Sequence, residues 1–264
     1  ANDTQRVIVE SKDDITAGDG AKHDVLMGKA ECSTLTTCNT FLLLQAGNIP
    51  VAFYEQVGQT MFTAPNCKMF PYEVVVRRYA YGSYLKRNPR TNKMTRFGHP
   101  LVETYLKTTG KVWKDHQLEV DDPLMQYDYC TSTPKLKLYH PGKEFQEESP
   151  FLTLEAKDVF THDNEFKLIQ QMSLRAIDIF KILEVAWEKH GLTFVDCKFE
   201  FGMSPAGHLL LADVVDADSG RLLDTASGEH LDKQLYRDGG ELAKVIENYR
   251  RLATISEAFK AMVK

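Results

Sequence analysis

The sequence predicts an α+β protein in which antiparallel sheets carry flanking helices. Three observations support that class. Short β-branched runs surround a single helical pattern in the first eighty residues, a long amphipathic pattern fills Asn164 to His190, and two strand-like runs near the end are joined by a turn-rich connection. At 264 residues the chain suits one compact unit or two closely packed lobes.

Taken in order, Val7 to Glu10 is a β-branched run that stops at Ser11-Lys12-Asp13-Asp14. Apolar residues then recur at helical spacing from Val25 to Ala46, and Gly47-Asn48 ends the pattern. Pro50 to Tyr54, Thr60 to Ala64 and Glu73 to Ala80 read as strands. Residues 86–100 hold Lys86, Arg87, Arg90, Lys93 and Arg96 among Asn, Pro and Gly, the composition of a solvated basic loop. From Asp115 to Lys157 no period persists, so this stretch is expected to be a long connection with one small strand at Leu136–Tyr139. A helix over 164–190 is closed by Gly191, strands follow at 192–201 and 208–215, and a last helix covers about 241–262.

Composition excludes several function classes. Hydrophobic residues at 43% and charged residues at 26% provide a core and argue against a disordered or fibrous chain. With 32 basic and 37 acidic residues, net −5, the chain lacks the overall positive field that gathers nucleic-acid phosphates, so any phosphate site is local. Its apolar runs fall far short of the roughly 20 residues that span a bilayer, and the start lacks a secretory pattern. A cytosolic protein without nucleic-acid or membrane partners is expected. Five cysteines with no CxxC pair are read as reduced structural thiols, and the scattered histidines offer no metal spacing.

Chemistry concentrates in the hairpin at 192–215. Asp196, Lys198 and Glu200 recur at period two and share one strand face, which an ordinary amphipathic strand would also produce. The second strand, Leu209 to Ala212, is apolar and ends in Asp213, setting a carboxylate in a buried neighbourhood across the hairpin from Glu200. Facing carboxylates need a counter-charge, and oxygen ligands of this kind suit Mg²⁺ with nucleotide phosphates. Arginines add a second clue: Arg77 interrupts an apolar strand, Arg221 follows a turn, and Arg237 follows Tyr236. Each fits a phosphate or carboxylate, with a structural salt bridge as the alternative. Gly82-Ser83 opens a short helix whose free amides and hydroxyl favour an anion.

The segment VDCKFEFG, Val195 to Gly202, resembles one signature of the SAICAR synthetase family, and MFPYEVVVRRYAYGS, Met69 to Ser83, resembles the other. ITAGDGAK at Ile15 to Lys22, Gly28-Lys29, Lys114-Asp115, DDP at 121–123, LLLADVVDADSGRLLD at 209–224 and DKQLYRD at 232–238 follow in the family's order. The likeness covers nearly the whole chain and is nearest the synthetase half of the bifunctional animal enzymes. It implies a two-lobe, ATP-grasp-like architecture, with a nucleotide-binding lobe at 1–73 and an ATP- and substrate-binding lobe at 74–264. It further implies ATP-dependent joining of L-aspartate to carboxyaminoimidazole ribonucleotide (CAIR) in purine synthesis, through an acyl phosphate. By motif position, Glu200 and Asp213 are implied to be the Mg²⁺-nucleotide carboxylates, Lys198 a substrate-side cation, Met69 to Glu73 the adenine-facing hinge, and Lys114 a nucleotide contact. Arg77, Ser83, Arg221 and Arg237 are implied to bind the ribonucleotide, with Asp19 near the substrates.

Tyr81 stands where the family usually has a small residue, and Leu223 where an aromatic is common. The family's glycine-and-lysine loop over the ATP phosphates is not in the sequence, so about 20–40 further N-terminal residues with a Gly-Lys pair are expected, the length of two strands and a turn. The acidic hairpin and hinge would equally serve a small-molecule kinase, and a nucleotide-binding regulator without turnover is the reading from another class. Self-association is left open.

Overall fold

The computed structural model describes residues 5–18, 20–128, 133–160 and 163–262. In chain order the elements are β1 (Arg6–Glu10), β2 (Asp14–Ala17), β3 (Lys22–Val25), α1 (Lys29–Ala46), β4 (Glu55–Gln56), β5 (Met61–Pro65), β6 (Lys68–Tyr79), α2 (Ser83–Arg87), β7 (Arg96–Leu106), β8 (Val112–Trp113) and β9 (His116–Gln117). They continue with β10 (Leu124–Asp128), β11 (Lys135–Tyr139), β12 (Leu152–Glu155), α3 (Ala156–Val159), α4 (Asp163–Glu188), β13 (Leu192–Met203), β14 (Leu209–Ala212), β15 (Gly220–Asp224), α5 (Gln234–Arg237) and α6 (Leu242–Glu257), ending in a 3-10 turn at Ala258–Met262. The chain forms two compact units, a discontinuous one of Ala1–Phe70 with Ile179–Lys264 and an inserted one of Pro71–Asp178. The first crossing lies near the expected boundary after residue 73; the second falls inside α4, whose unbroken pattern carries no sign of a division.

In the discontinuous unit, α1 packs on α6, and the buried amide of Asn39 donates to Ser256 Oγ at 2.9 Å. The helix pattern expected from Val25 starts later, at Lys29, because Lys22–Val25 pairs antiparallel with Asp14–Ala17 as a hairpin. Asp13 sets the true start: its Oδ1 accepts the amides of Gly28 at 3.1 Å and Ala30 at 2.9 Å, satisfying donors that a helix end leaves open. Strands β1, β5 and β4 form a three-stranded antiparallel sheet, and Phe41, Phe53 and Phe62 cluster with ring centroids about 6 Å apart. The strand expected at Pro50–Tyr54 reduces to a single bridge from Val51 to Leu211, with the short β4 just after it. Strand β13 pairs antiparallel with both β14 and β15, and Phe180 of α4 stacks on Phe194 at 4.6 Å. Strand β15 escapes the sequence reading because its five residues follow a turn-rich acidic run.

The inserted unit is an antiparallel sheet in the order β12-β11-β10-β7-β6. The first turns of α4 lie against it: Tyr72, fully buried, donates to Glu165 Oε1 at 2.6 Å, and Tyr127 stacks on Phe166 at 3.9 Å. Two sequence expectations are corrected here. The stretch 115–157 holds four strands besides its loops: β11 is the one expected at Leu136–Tyr139, while β9, β10 and β12, of two, five and four residues, are too short to show a period. The basic segment 86–100 is part helix and part strand, and Arg87 within it is buried to 2%.

Candidate active site

Lys198 and Glu200 project from β13, and Lys198 Nζ lies 2.7 Å from Glu200 Oε1. The glutamate side chain is 4% exposed and the lysine 35%, so the pair runs from the interior of the unit to its surface. A bulge between Phe194 and Asp196 shifts the strand's register, and both its faces are buried, so the polar residues do not mark a solvent face. The ladder pairs Glu200 with Ala212, and Asp213 follows just beyond it. Contrary to expectation, Asp213 is exposed rather than buried. Its φ of 62° turns the backbone left-handed at the end of β14, a conformation that a short polar side chain tolerates. Gly202, two residues after Glu200, lets another segment close in: a Cβ there would meet Cys67 Cβ at 2.8 Å and Met69 Sδ at 3.0 Å. This close approach sets Met69 beside the end of β13, where 43% of it stays exposed.

Arg221 lies opposite Asp196 in the β13–β15 ladder and grips it through Nη1, at 3.0 and 2.8 Å from the two carboxylate oxygens, while its Nε donates to Gln234 Oε1 at 3.2 Å. The salt bridge weighed as the alternative for this arginine is therefore formed. Asp232, fully buried, orders the neighbouring loop by accepting the amides of Leu222 at 2.8 Å and Gln234 at 2.6 Å. Arg237 ends α5 and is exposed. The residue before it is anchored: Tyr236 donates to Asp24 Oδ2 at 2.8 Å, and Lys22 Nζ lies 3.9 Å over its ring. Asp19 lies outside the described residues.

A second acidic group in this unit has no counterpart among the sequence expectations. Asp218 takes Lys29 at 3.2 Å, Lys233 at 3.3 Å and the Tyr249 hydroxyl. Burial pushes its carboxyl up, but the two lysines and the hydroxyl outweigh burial and hold it below the usual carboxylate range. Asp216 behaves oppositely: burial, then the like charge of Asp218, raises it. The run Asp213-x-x-Asp216-x-Asp218 and the Gly28-Lys29 pair carry the only sequence signal for this group.

In the inserted unit, Arg77 of β6 donates through Nε to Glu103 Oε2 at 2.7 Å, through Nη2 to Ser83 Oγ at 3.1 Å and through Nη1 to the Tyr81 carbonyl at 3.5 Å. Arg87 binds the other oxygen of the same carboxylate. Burial pushes Glu103 up, but Arg77 and Arg87 outweigh it and hold the carboxyl low. Tyr81 is buried to 5%, and Lys93 Nζ stands 4.5 Å over its ring. Glu73 is half-buried on β6, and Lys114 is exposed, its Nζ 5.1 Å over the Trp113 ring.

Among the described residues, no group of three or more His, Cys, Asp or Glu gathers as a metal cluster. Glu200 and Asp213 are hard oxygen donors at the end of one hairpin, a set that fits Mg²⁺ when phosphate oxygens and water complete its shell. No helix among the described residues is long and apolar enough to cross a membrane.

Comparison with known proteins bears on these motifs directly. A SAICAR synthetase family model matches residues 1–254. The phosphoribosylaminoimidazole-succinocarboxamide synthase of Chloroflexus aggregans is 33% identical over 99% of this chain and 92% of its own. The bifunctional phosphoribosylaminoimidazole carboxylase and succinocarboxamide synthetase of Rattus norvegicus is 35% identical over 88% of this chain and 48% of its own. The chain spans between a fifth and about half the length of the multifunctional relatives it matches. A solved SAICAR synthetase in complex with ADP is 28% identical with a TM-score of 0.74, covering 97% of this chain and 92% of that one. A two-lobe α+β protein of this architecture, with the signature residues of β6 and β13 in their expected order, belongs to the SAICAR synthetase family.

Proposed function

We propose that the chain joins L-aspartate to CAIR at the expense of ATP, giving SAICAR, ADP and phosphate in de novo purine biosynthesis. The observation that carries this reading is the collinear family match over residues 1–254. In the first step an oxygen of the CAIR carboxylate attacks the γ-phosphorus and ADP leaves. In the second, the aspartate amine attacks the acyl carbon, the carbon–oxygen bond to phosphate breaks, and the amine loses a proton to leave an amide.

Such chemistry asks the protein for placement and charge more than for a nucleophile. Glu200 and Asp213 would hold Mg²⁺, which when bound neutralises charge on the phosphoryl oxygens. Lys198, fixed against Glu200, offers a cation at the substrate side. Met69 and Glu73 are assigned to the adenine-facing hinge and Lys114 to a nucleotide contact. Arg77 and Ser83 of the inserted unit, and Arg221 and Arg237 of the discontinuous unit, are each assigned to the ribonucleotide, with Asp19 near the substrates. The division of the chain into a nucleotide-binding lobe at 1–73 and a substrate lobe at 74–264 belongs to the same proposal, as do a cytoplasmic setting and small-molecule partners only.

Incubation with ATP, Mg²⁺, L-aspartate and CAIR tests the reading. The expected result is one amide product per ADP formed, dependent on aspartate. Phosphorylated CAIR that accumulates regardless of aspartate would make the protein a kinase, and ATP left intact would make it a non-catalytic binder.

A further inference from the structure

In the inserted unit one carboxylate serves two guanidinium groups. Glu103 on β7 stands opposite Val75 in the ladder, while Arg77 on β6 stands opposite Leu101, so Glu103 and Arg77 are diagonal neighbours on one face. Glu103 Oε2 accepts Arg77 Nε at 2.7 Å and the Tyr105 hydroxyl at 3.0 Å, and Oε1 accepts Arg87 Nη2. Arg87 is tied down in turn: its Nη1 donates to the Pro141 carbonyl at 2.8 Å, and its guanidinium carbon lies 5.5 Å from the centre of the Tyr105 ring. All three charged side chains are nine-tenths or more buried.

We infer that Glu103 is a positioning residue, whose carboxylate fixes the guanidinium of Arg77 so that its Nη edge is presented at the Tyr81–Ser83 turn. A guanidinium on a flexible stem rotates freely unless one edge is pinned, and a carboxylate on Nε pins the inner edge. With Nε held, Nη1 and Nη2 meet the Tyr81 carbonyl and the Ser83 hydroxyl, so the arginine and the serine face one spot. Charge agrees with this arrangement. Glu103 takes both guanidinium groups at once, and a buried arginine held in this way offers its outer edge to an anion such as a phosphate or carboxylate. Arg87 keeps Glu103 ionised and stationary, and Tyr105 fixes the carboxylate's rotation. The inference rests on the proposed role of Arg77 and Ser83 in holding the ribonucleotide.

Steady-state kinetics of the full chain with CAIR and ATP varied separately test it. Glu103→Gln keeps the side chain's shape but lets Arg77 rotate, so the KM for the ribonucleotide is expected to rise tenfold or more while the KM for ATP changes less than twofold. Tyr105→Phe, which removes only the hydroxyl, should give a smaller rise of the same kind, and it serves if Glu103→Gln does not fold. In a double-mutant cycle with Arg77→Lys, the Glu103 substitution should add little once Arg77 is altered. Equal rises in both KM values, or additive effects in the cycle, overturn the inference and leave Glu103 a structural ion-pair partner. If Arg77→Lys alone leaves the ribonucleotide KM unchanged, the underlying assignment of Arg77 fails instead.

Discussion

Each unit contains an arginine that meets a buried carboxylate, and the two meetings are built differently. In the discontinuous unit Arg221 reaches both oxygens of Asp196 through a single guanidinium nitrogen, across adjacent strands. In the inserted unit Glu103 is divided between Arg77 and Arg87. Asp196 and Arg221 lie directly opposite in the ladder, so their ion pair also holds two strands in register. A divided carboxylate fixes two guanidinium groups at once and locks the orientation of each. Arginine in a strand is thus ambiguous in sequence, and the groups that its guanidinium meets say what holds it.

The largest effect should come from a third ion pair, that of Lys198 and Glu200. Like Arg221 and Asp196 it sets a cation on a buried carboxylate, but its lysine side chain reaches the surface at 35% exposure, so it can address a ligand. Glu200→Gln removes the negative charge while keeping volume, and turnover should fall about a thousandfold or more, the scale of losing a charged group that stabilises phosphoryl transfer. Circular dichroism should show the fold intact. Near-normal turnover at limiting Mg²⁺ would make Lys198 and Glu200 a structural pair despite the lysine's reach to the surface.

Next in size is a contrast between the two arginines. Arg221→Ala strips Asp196 of the guanidinium that reaches both its oxygens, and breaking a buried pair in this way costs about 3 kcal/mol. Arg77→Ala leaves Arg87 on Glu103, so its stability loss should be clearly smaller while its ribonucleotide KM rises. Urea denaturation of the two variants, read with KM, sharpens the comparison. Equal stability losses would erase the distinction between the carboxylate of Asp196 and the divided carboxylate of Glu103.

Part of this arrangement is legible in the sequence and part is not, for physical reasons. The α4 pattern is readable because its apolar positions repeat over many residues on one element, and the strands of 192–215 because two apolar runs flank a turn-rich connection. Lys198, Glu200 and Met69 are singled out in the sequence by uncommon motifs. Arg87 is not, since it sits in a basic, turn-rich stretch, and the groups that explain its burial, Glu103 and the Pro141 carbonyl, lie sixteen and 54 residues away. The Asp218 group is hidden for the same reason: Lys29 and Tyr249 come from α1 and α6, and no local pattern links them to an acidic turn. Asp213 departs from its expected burial because an apolar run suggests that the next residue is buried too, whereas the left-handed turn at the end of β14 returns the chain to solvent.

Acid sensitivity should separate the divided carboxylate from an ordinary one. Glu103 has its folded value held below the usual glutamate range by Arg77 and Arg87 against burial. A depressed folded value means that its stabilisation is complete above the unfolded value, about 4.3, and disappears as pH falls through the folded one. Urea midpoints from pH 7 down to 3 should therefore show wild type and Glu103→Gln converging at the acid end. A constant gap at every pH would show that the ionised carboxylate contributes nothing beyond its shape.

The smallest effect concerns Asp216 and Asp218, two acids of one turn that burial and neighbours push in opposite directions. Asp218 has two lysines and is held low, so Asp218→Asn should lose stability at neutral pH. Asp216 is raised by burial and then by Asp218, which means that its ionised form is disfavoured in the folded state. A carboxyl whose folded value is raised costs stability at pH above that value, and the cost vanishes below the unfolded value, about 3.9. The bonds it makes do not require the charge: Oδ1 accepts the amides of Asp218 at 2.8 Å and Ser219 at 3.3 Å and the Ser219 hydroxyl at 3.2 Å, all of which an asparagine oxygen can accept. Asp216→Asn should therefore gain about 1 kcal/mol at pH 7, the ordinary size of a single substitution, and the gain should disappear by pH 3. Stability lost at pH 7 would show that the negative charge of Asp216 is wanted where it stands, with Lys29, whose charge favours the ionised form, as its counterpart.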